Sequence, residues 1–104
     1  MPIVVVATMT AKPESVDAVR DACKQAMEAV HSEPGCDLYS LHEADGTFMF
    51  IEQWADADAL KAHSVAPSVA TLFGTIGEHL DGAPDIKMLQ PVLAGDPAKG
   101  QLRP

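Results

Sequence analysis

The sequence predicts an α+β fold in which an antiparallel sheet carries helices on one face. Segments rich in β-branched and aromatic residues alternate with amphipathic segments of helical period, in the order β-α-β-β-(α-α)-β. The length of 104 residues fits one domain with a modest core. An apolar fraction of 47% is typical of a globular chain and argues against disorder.

Two different periodicities define the first strand and the first helix. Residues 3–9 form a β-branched run without alternation, which is typical of a strand that is covered on both faces. Pro13 then opens a helix at a position where its missing N–H is harmless, and Pro34-Gly35 ends it. The apolar stripe of this helix recurs at spacings of three and four: Val16, Val19, Cys23, Met27 and Val30.

A hairpin occupies the middle of the chain. Residues 36–43 and 47–54 read as strands, and Asp45-Gly46 between them is a hairpin turn signal. Strict alternation places Cys36, Leu38, Ser40 and His42 on one face of the first strand, and Asp37, Tyr39, Leu41 and Glu43 on the other. In the second strand, Phe48, Phe50, Glu52 and Trp54 oppose Met49, Ile51 and Gln53. Both faces are largely apolar, so the hairpin offers few residues to water.

Two helices follow the hairpin. Asp56 is a good N-cap for a short helix over residues 57–63, and Pro67 opens another helix that Gly82 ends. The apolar stripe of the second of these helices is Val69, Leu72, Phe73, Ile76 and Leu80.

The last strand and the tail complete the domain. Residues 85–93 alternate as a strand, and Pro91 places part of it at an edge or a bulge because proline cannot donate to a ladder. We assign residues 1–93 to one domain and residues 94–104 to a C-terminal tail. The element order is the ferredoxin-like split β-α-β plan, whose sheet has helices on one face and leaves the other face open.

Composition excludes several classes of function. The net charge is −8 and only seven residues are Lys or Arg, so we expect no nucleic-acid partner. No apolar run approaches the roughly 20 residues that span a bilayer, and no signal sequence is evident; we expect a cytoplasmic protein without membrane contact. Cys23 and Cys36 lack metal-ligand spacing and are expected to be two buried free thiols.

The open face of the sheet predicts a partner. It is apolar, judging from the first and third strands, and a large apolar surface on a small protein indicates an interface. Burial against a second copy across a two-fold axis is the simplest solution. We therefore expect a homodimer that packs sheet against sheet.

Four short motifs, in this order and spacing, resemble the antibiotic biosynthesis monooxygenase (ABM) domain. They are Ala11-Lys12-Pro13-Glu14, Glu33-Pro34-Gly35-Cys36 with Tyr39, Phe48-x-Phe50-x-Glu52-x-Trp54, and Ala59-Leu60-x-Ala62-His63. The resemblance covers residues 1 to about 93 and implies a dimeric α+β barrel. The family that this chain resembles includes quinol and anthrone oxygenases that use O2 without metal or flavin, haem-degrading enzymes and small-molecule isomerases. The haem-degrading branch uses an Asn on the first strand, which this chain lacks, and few cations are present to pair with propionates.

The resemblance directs attention to residues suited to cofactor-free oxygenation. Such a reaction needs a base, hydrogen-bond donors and a water-poor cavity around an electron-rich phenol, quinol or anthrone. His63 is the first candidate for the base, because an imidazole titrates near neutrality; an interface or capping histidine is the alternative. Trp54 would line the pocket or anchor the core, and Glu52 would orient His63 or a backbone amide, or pair across the dimer. Tyr39 would donate to a substrate oxygen or pack at the dimer sheet.

The remaining predictions concern the pocket wall and the cofactors. Five residues are candidates for the apolar substrate-binding wall: Phe48, Phe50, Leu72, Phe73 and Ile76. No metal spacing, GxGxxG, P-loop or GxSxG motif is present, so we expect neither a metal nor a cofactor. The predicted function is a cofactor-independent monooxygenase that acts on a small quinol- or anthrone-like aromatic with O2. The rival function is a non-catalytic dimeric module that binds a small aromatic or serves a partner, and haem degradation is the third option.

Overall fold

The computed structural model describes all 104 residues and contains four strands and three α-helices. Two single 3₁₀ turns, Pro13–Ser15 and Gly77–His79, precede α1 and follow α3. The sheet order is β2-β3-β1-β4, and each neighbouring pair is antiparallel. This is the predicted ferredoxin-like α+β fold. The elements are β1 (Ile3–Thr10), α1 (Val16–His31), β2 (Cys36–Ala44), β3 (Thr47–Trp54), α2 (Ala57–Ser64), α3 (Pro67–Ile76) and β4 (Asp85–Leu89).

The core lies between the sheet and the helices. From β1, Val5, Ala7 and Met9 point into it; β3 contributes Phe48 and Phe50. The helices contribute fully buried side chains that follow the predicted stripes, among them Val19, Cys23, Val30 and Ile76. Burial of each large apolar side chain stabilises the fold by roughly 1.5–3 kcal/mol, so this single layer supplies most of the driving force.

Two local signals are confirmed by the backbone. Asp45 and Gly46 both have positive φ, at 51° and 80°, as a type I′ hairpin turn requires. The Asp56 carboxylate accepts a hydrogen bond of 2.8 Å from the Ala59 N–H and so caps α2. The turn sets the register of β2 and β3, and the cap fixes where α2 starts relative to the end of β3.

Three element boundaries differ from the prediction by more than one residue. The α1 helix begins at Val16, because Pro13 opens a 3₁₀ turn instead of the helix itself. The α3 helix ends at Ile76, and the chain tightens to 3₁₀ before Leu80 forms an isolated bridge with Ala11. The β4 strand stops at Leu89, short of Pro91, which has no N–H to continue the ladder.

A β-bulge corrects the face assigned to Cys36. Cys36 pairs with Trp54, but the next pair in the ladder is Leu38 with Gln53. The extra residue places Cys36 on the helix side together with Tyr39, not on the face of Leu38. Both cysteines are free thiols, as predicted. Cys23 is fully buried, whereas Cys36 is only half-buried, so the prediction of burial is confirmed for Cys23 and wrong for Cys36. Burial raises the pKa of the Cys23 thiol to about 11, which makes it inert.

The sheet face opposite the helices is contacted by the C-terminal tail. Gln53 points to this face and is 3% exposed. Its Nε2 donates to the Arg103 carbonyl at 3.2 Å, and the Arg103 N–H donates to its Oε1 at 3.3 Å. The end of the tail, at Arg103, therefore folds back onto the sheet, and the division at residue 93 stays a prediction.

None of the helices has the length and apolar character needed to cross a membrane.

Candidate active site

A cavity of about 250 Å³ lies between the sheet and the helices α2 and α3. Its walls are mostly hydrocarbon, and no Lys or Arg lines it. Four side chains bring polar atoms to it: Tyr39, Glu52, His63 and Ser64. A larger groove of about 700 Å³ runs along α1 and β2, but it is open to solvent. The smaller cavity is the better candidate site, because buried ionisable groups converge there.

His63 is held in place from two sides at the end of α2. Its side chain stacks on the Trp54 indole, with ring centroids 4.3 Å apart and planes inclined by 30°. Its Nδ1 lies 3.0 Å from Glu33 Oε1. Because a carboxylate only accepts, Nδ1 is the donor, and Nε2 is left as the basic nitrogen. Nε2 lies 3.8 Å from Glu52 Oε1, and His63 is 8% exposed.

Glu52 is a carboxyl group inside the apolar layer. It is 4% exposed, and its Oε1 accepts a hydrogen bond of 2.9 Å from Trp54 Nε1. Burial raises the pKa of Glu52, while the bond from Trp54 and the proximity of His63 act in the opposite direction. A buried carboxyl with a raised pKa beside an imidazole is typical of sites that move protons.

Tyr39 lies opposite Glu52 on the neighbouring strand. Its ring stacks on Phe50 at 4.5 Å and meets His63 edge-on at 5.7 Å. Burial, reinforced by the charge of Glu52, raises the pKa of Tyr39 well above its usual value. Tyr39 therefore stays protonated and can donate a hydrogen bond to a ligand oxygen.

Glu33 is the residue that the sequence interpretation missed. It follows α1, and both of its carboxylate oxygens lie near His63 Nδ1, at 3.0 and 3.2 Å. Its Oε2 also accepts a hydrogen bond of 3.3 Å from Ser68 Oγ, in the first turn of α3. One signal was available: an acidic residue just after a helix C-terminus opposes the helix dipole, so it requires compensation elsewhere. Here the first turn of α3 supplies it.

The loop that carries Glu33 packs closely against α2. Gly35 has φ +79°, and a Cβ there would lie 2.5 Å from the Ala59 Cβ. The Ala55 N–H donates to the Gly35 carbonyl at 2.9 Å. Only glycine combines this backbone conformation with this close approach. The contact of Gly35 with α2 therefore positions the neighbouring Glu33 relative to His63.

The predicted site residues divide into those at the cavity and those outside it. Of the proposed catalytic residues, His63, Glu52 and Tyr39 line the cavity, whereas Trp54 lies behind His63 and is fully buried. Of the proposed apolar wall, Phe50, Leu72 and Phe73 line it.

Two residues of the predicted wall lie outside the cavity. Phe48 sits at the opposite end of the core, where the Arg20 guanidinium carbon is 5.9 Å from its ring centroid. Ile76 is fully buried at the end of α3. Both are core residues, because the strand and the helix extend beyond the cavity.

Comparison with known proteins identifies the family. The sequence model of the family described as antibiotic biosynthesis monooxygenase matches residues 2–73, which is well over half of the chain. The chain therefore belongs to the antibiotic biosynthesis monooxygenase family. Its fold, with four antiparallel strands and three helices, agrees with that assignment.

Individual relatives and solved structures are also similar to this chain. An uncharacterized Synechocystis protein, sll1783, is 35% identical over 69 residues, which is 64% of this chain and 47% of that protein. The match thus spans about half the length of that relative. Rv0793 of Mycobacterium tuberculosis shares the fold with a TM-score of 0.85 at 23% identity, over 92% of this chain and all of that one. A crystal structure named antibiotic biosynthesis monooxygenase gives a TM-score of 0.82 at 29% identity, over 88% and 99% of the two chains.

Proposed function

We propose that this protein is a cofactor-independent monooxygenase that oxidises a small quinol- or anthrone-like aromatic with O2. The observation that carries the proposal is the convergence of His63, Glu52 and Tyr39 on an otherwise apolar cavity. Its volume of about 250 Å³ is at the small end for ligand sites and suits an aromatic of roughly two or three rings. The name of the family and of one similar structure supports a monooxygenase.

The cavity provides what the chemistry requires. His63 Nε2 removes a proton from the substrate, since Nδ1 already donates to Glu33. Tyr39 donates to the substrate oxygen as negative charge develops on it. The electron-rich anion then transfers an electron to O2, and the apolar walls keep water away until the two radicals combine. The peroxide that forms takes up a proton and then loses water to leave a carbonyl group, so one oxygen atom stays in the product and the other leaves as water.

The charges at the cavity also restrict the substrate. No cation lines it, and Glu52 lies at its polar end. A substrate with a carboxylate or phosphate would be desolvated without a partner, at a cost of several kcal/mol. A neutral phenol meets no such penalty, so the site favours neutral aromatics.

We also propose that the protein is a homodimer formed through the sheet face opposite the helices. Apolar side chains there are only partly covered in the single chain: Val4, Val6, Met49 and Ile51. Sedimentation velocity should give the mass of two chains, and Ile51→Lys should give the mass of one. A wild-type protein that sediments as a monomer at high micromolar concentration would refute the dimer.

The test of the function is oxygen consumption by purified, metal-free protein with a panel of reduced quinols and anthrones. Wild-type protein should accelerate O2 uptake above buffer. His63→Gln should lower kcat by about 10²–10⁴-fold, the usual contribution of a positioned base. His79→Gln, a change of the same type at a residue that does not line the cavity, should have no effect. A panel without uptake, together with a neutral His63→Gln, would refute the proposal.

One observation favours the rival function, a non-catalytic module that binds a small aromatic. Trp54 Nε1, His63 Nδ1 and both oxygens of Glu33 already have partners within the chain, so this part of the cluster is stable without performing chemistry. The rival predicts saturable binding of aromatics, measured by Trp54 fluorescence, without O2 uptake. A haem-degrading enzyme is disfavoured because the cavity is small and lacks cations for propionates. A haem titration should show no Soret shift.

A further inference from the structure

We propose that Glu33 and His63 form a proton relay that connects the cavity to the protein surface. The inference rests on the proposed function in one respect: an acidic hydroxyl group must enter the cavity. Three ionisable side chains from three different elements form a row, with Glu52 from β3, His63 from α2 and Glu33 from the loop after α1. Both carboxylates are aligned on one imidazole, an arrangement that suits proton transfer.

The exposure of the side chains increases along the row. Counted over side-chain atoms alone, the exposed fraction is 5% for Glu52, 9% for His63 and 16% for Glu33. Glu52 and His63 line the cavity, but Glu33 does not. Glu33 is therefore the outer end of the row, where a proton can be exchanged with water.

The two links of the row differ in length. Nδ1 of His63 is within hydrogen-bond distance of Glu33, at 3.0 Å. Nε2 lies 3.8 Å from Glu52 Oε1, which is too long for a direct hydrogen bond. The inner link therefore has room to receive a substrate hydroxyl beside both groups, whereas the outer link is already closed.

The outer link is also rigid. The Trp54 indole supports one face of the His63 ring, and Ser68 holds the second oxygen of Glu33. The contact of Gly35 with Ala59 keeps the loop against α2. Proton transfer depends steeply on donor–acceptor distance. These contacts restrain the distance between His63 Nδ1 and the Glu33 carboxylate.

The transfer is balanced and moves no electrons. The substrate O–H bond breaks and an N–H bond forms at Nε2 of His63. The Nδ1–H proton passes to a carboxylate oxygen of Glu33, which leaves a neutral imidazole and a substrate anion. Glu33 then gives its proton to water. When the oxygenated product takes up protons again, the same steps run in reverse and restore the original tautomer.

The test uses Glu33→Gln, which keeps an oxygen that can accept from Nδ1 but cannot take up its proton. Glu28→Gln is the matched control, because Glu28 is exposed near the end of the same helix. The probe is 4-nitrophenol, whose phenolate is coloured, mixed with the protein in a stopped-flow instrument in weak buffer with a pH indicator. Wild type and Glu28→Gln should release a proton as the phenol ionises.

Glu33→Gln should bind as much probe but release the proton at least about tenfold more slowly. Added imidazole should restore the rate, because a soluble base replaces the missing acceptor. Equal rates in wild type and Glu33→Gln, a defect that imidazole does not restore, or failure of wild type to bind and ionise the phenol would each overturn the relay. Normal proton release without O2 uptake from any quinol would refute the monooxygenase and leave the relay standing.

Discussion

The two ends of the layer between sheet and helices are built from the same strands but are filled differently. At one end, which we call the packed end, Met9, Val19 and Phe48 are at most 1% exposed and do not line the candidate cavity. At the other end, the site end, His63 and Glu52 surround space that the chain leaves empty. The difference separates residues that hold the fold together from residues that are available for chemistry.

The change from the packed end to the site end occurs within strand β3. The inward face of β3 runs Phe48, Phe50, Glu52 and Trp54, so a carboxyl group replaces a hydrocarbon at the third position. Placing a carboxyl there costs free energy, which the Trp54 N–H only partly offsets. A fold under selection for stability alone would fill this position with another apolar side chain, so the polar residue marks the site.

Removing an aromatic ring from the packed end should have the largest effect on stability. Phe48→Ala leaves a cavity at a fully buried position, and should lower the free energy of unfolding by about 3–5 kcal/mol. Urea denaturation measures the loss. The variant should retain normal ligand binding per folded molecule, because Phe48 does not line the cavity. Weakened binding in the folded variant would contradict the separation of the two ends.

Changing the loop that positions Glu33 should affect both stability and the site. Gly35→Ala combines a left-handed backbone conformation with a Cβ 2.5 Å from that of Ala59, and should cost about 3 kcal/mol. It should also displace Glu33 from His63, seen as a loss of the His63 Nδ1–H resonance in NMR spectra. Gly74→Ala is the control, because nothing lies within 4 Å of its added Cβ. An unchanged resonance would show that the loop does not set this contact.

Neutralising the buried carboxyl should have the smallest effect on stability, and in the opposite direction. Burial raises the pKa of Glu52 above its ordinary value of 4.5, so the folded chain retains a proton that the unfolded chain releases. Retaining this proton stabilises the folded chain. The stabilisation is fully present below pH 4.5 and is lost as the pH rises through the pKa of Glu52 in the folded chain. Glu52→Gln should therefore be more stable than wild type at neutral pH, with the gain vanishing in acid. Thermal unfolding across this pH range measures it, and a variant less stable at neutral pH would contradict the sign.

The sequence was sufficient for the features that depend on local patterns. The order of the elements along the chain, the Asp45-Gly46 turn and the Asp56 cap follow from periodicity and from the conformational preferences of single residues. The resemblance to the family also singled out His63, Glu52 and Tyr39 as candidate site residues, although alternation alone did not settle which strand face lines the cavity. These three line the cavity, and their roles stay proposals.

The features that the sequence did not reveal depend on contacts between distant segments. Glu33 meets His63 across 30 positions, and that pairing leaves no periodic signal. Cys36 changed face because one extra residue bulges from β2. Phe48 belongs to the packed end because the cavity is shorter than the strand. Alternation gives the face of a side chain, but not its distance from a cavity along that face.

The most direct test of the site end is a crystal structure of the protein with a reduced quinol or anthrone, prepared without oxygen so that the ligand is not consumed. The ligand should lie between the sheet and α3, with one oxygen within about 3.2 Å of His63 Nε2, a hydrogen-bond distance. Its rings should contact Phe50, Leu72 and Phe73. A ligand in the open groove along α1 and β2, or a cavity that stays closed at saturating ligand, would contradict the assignment of this end of the core as the active site.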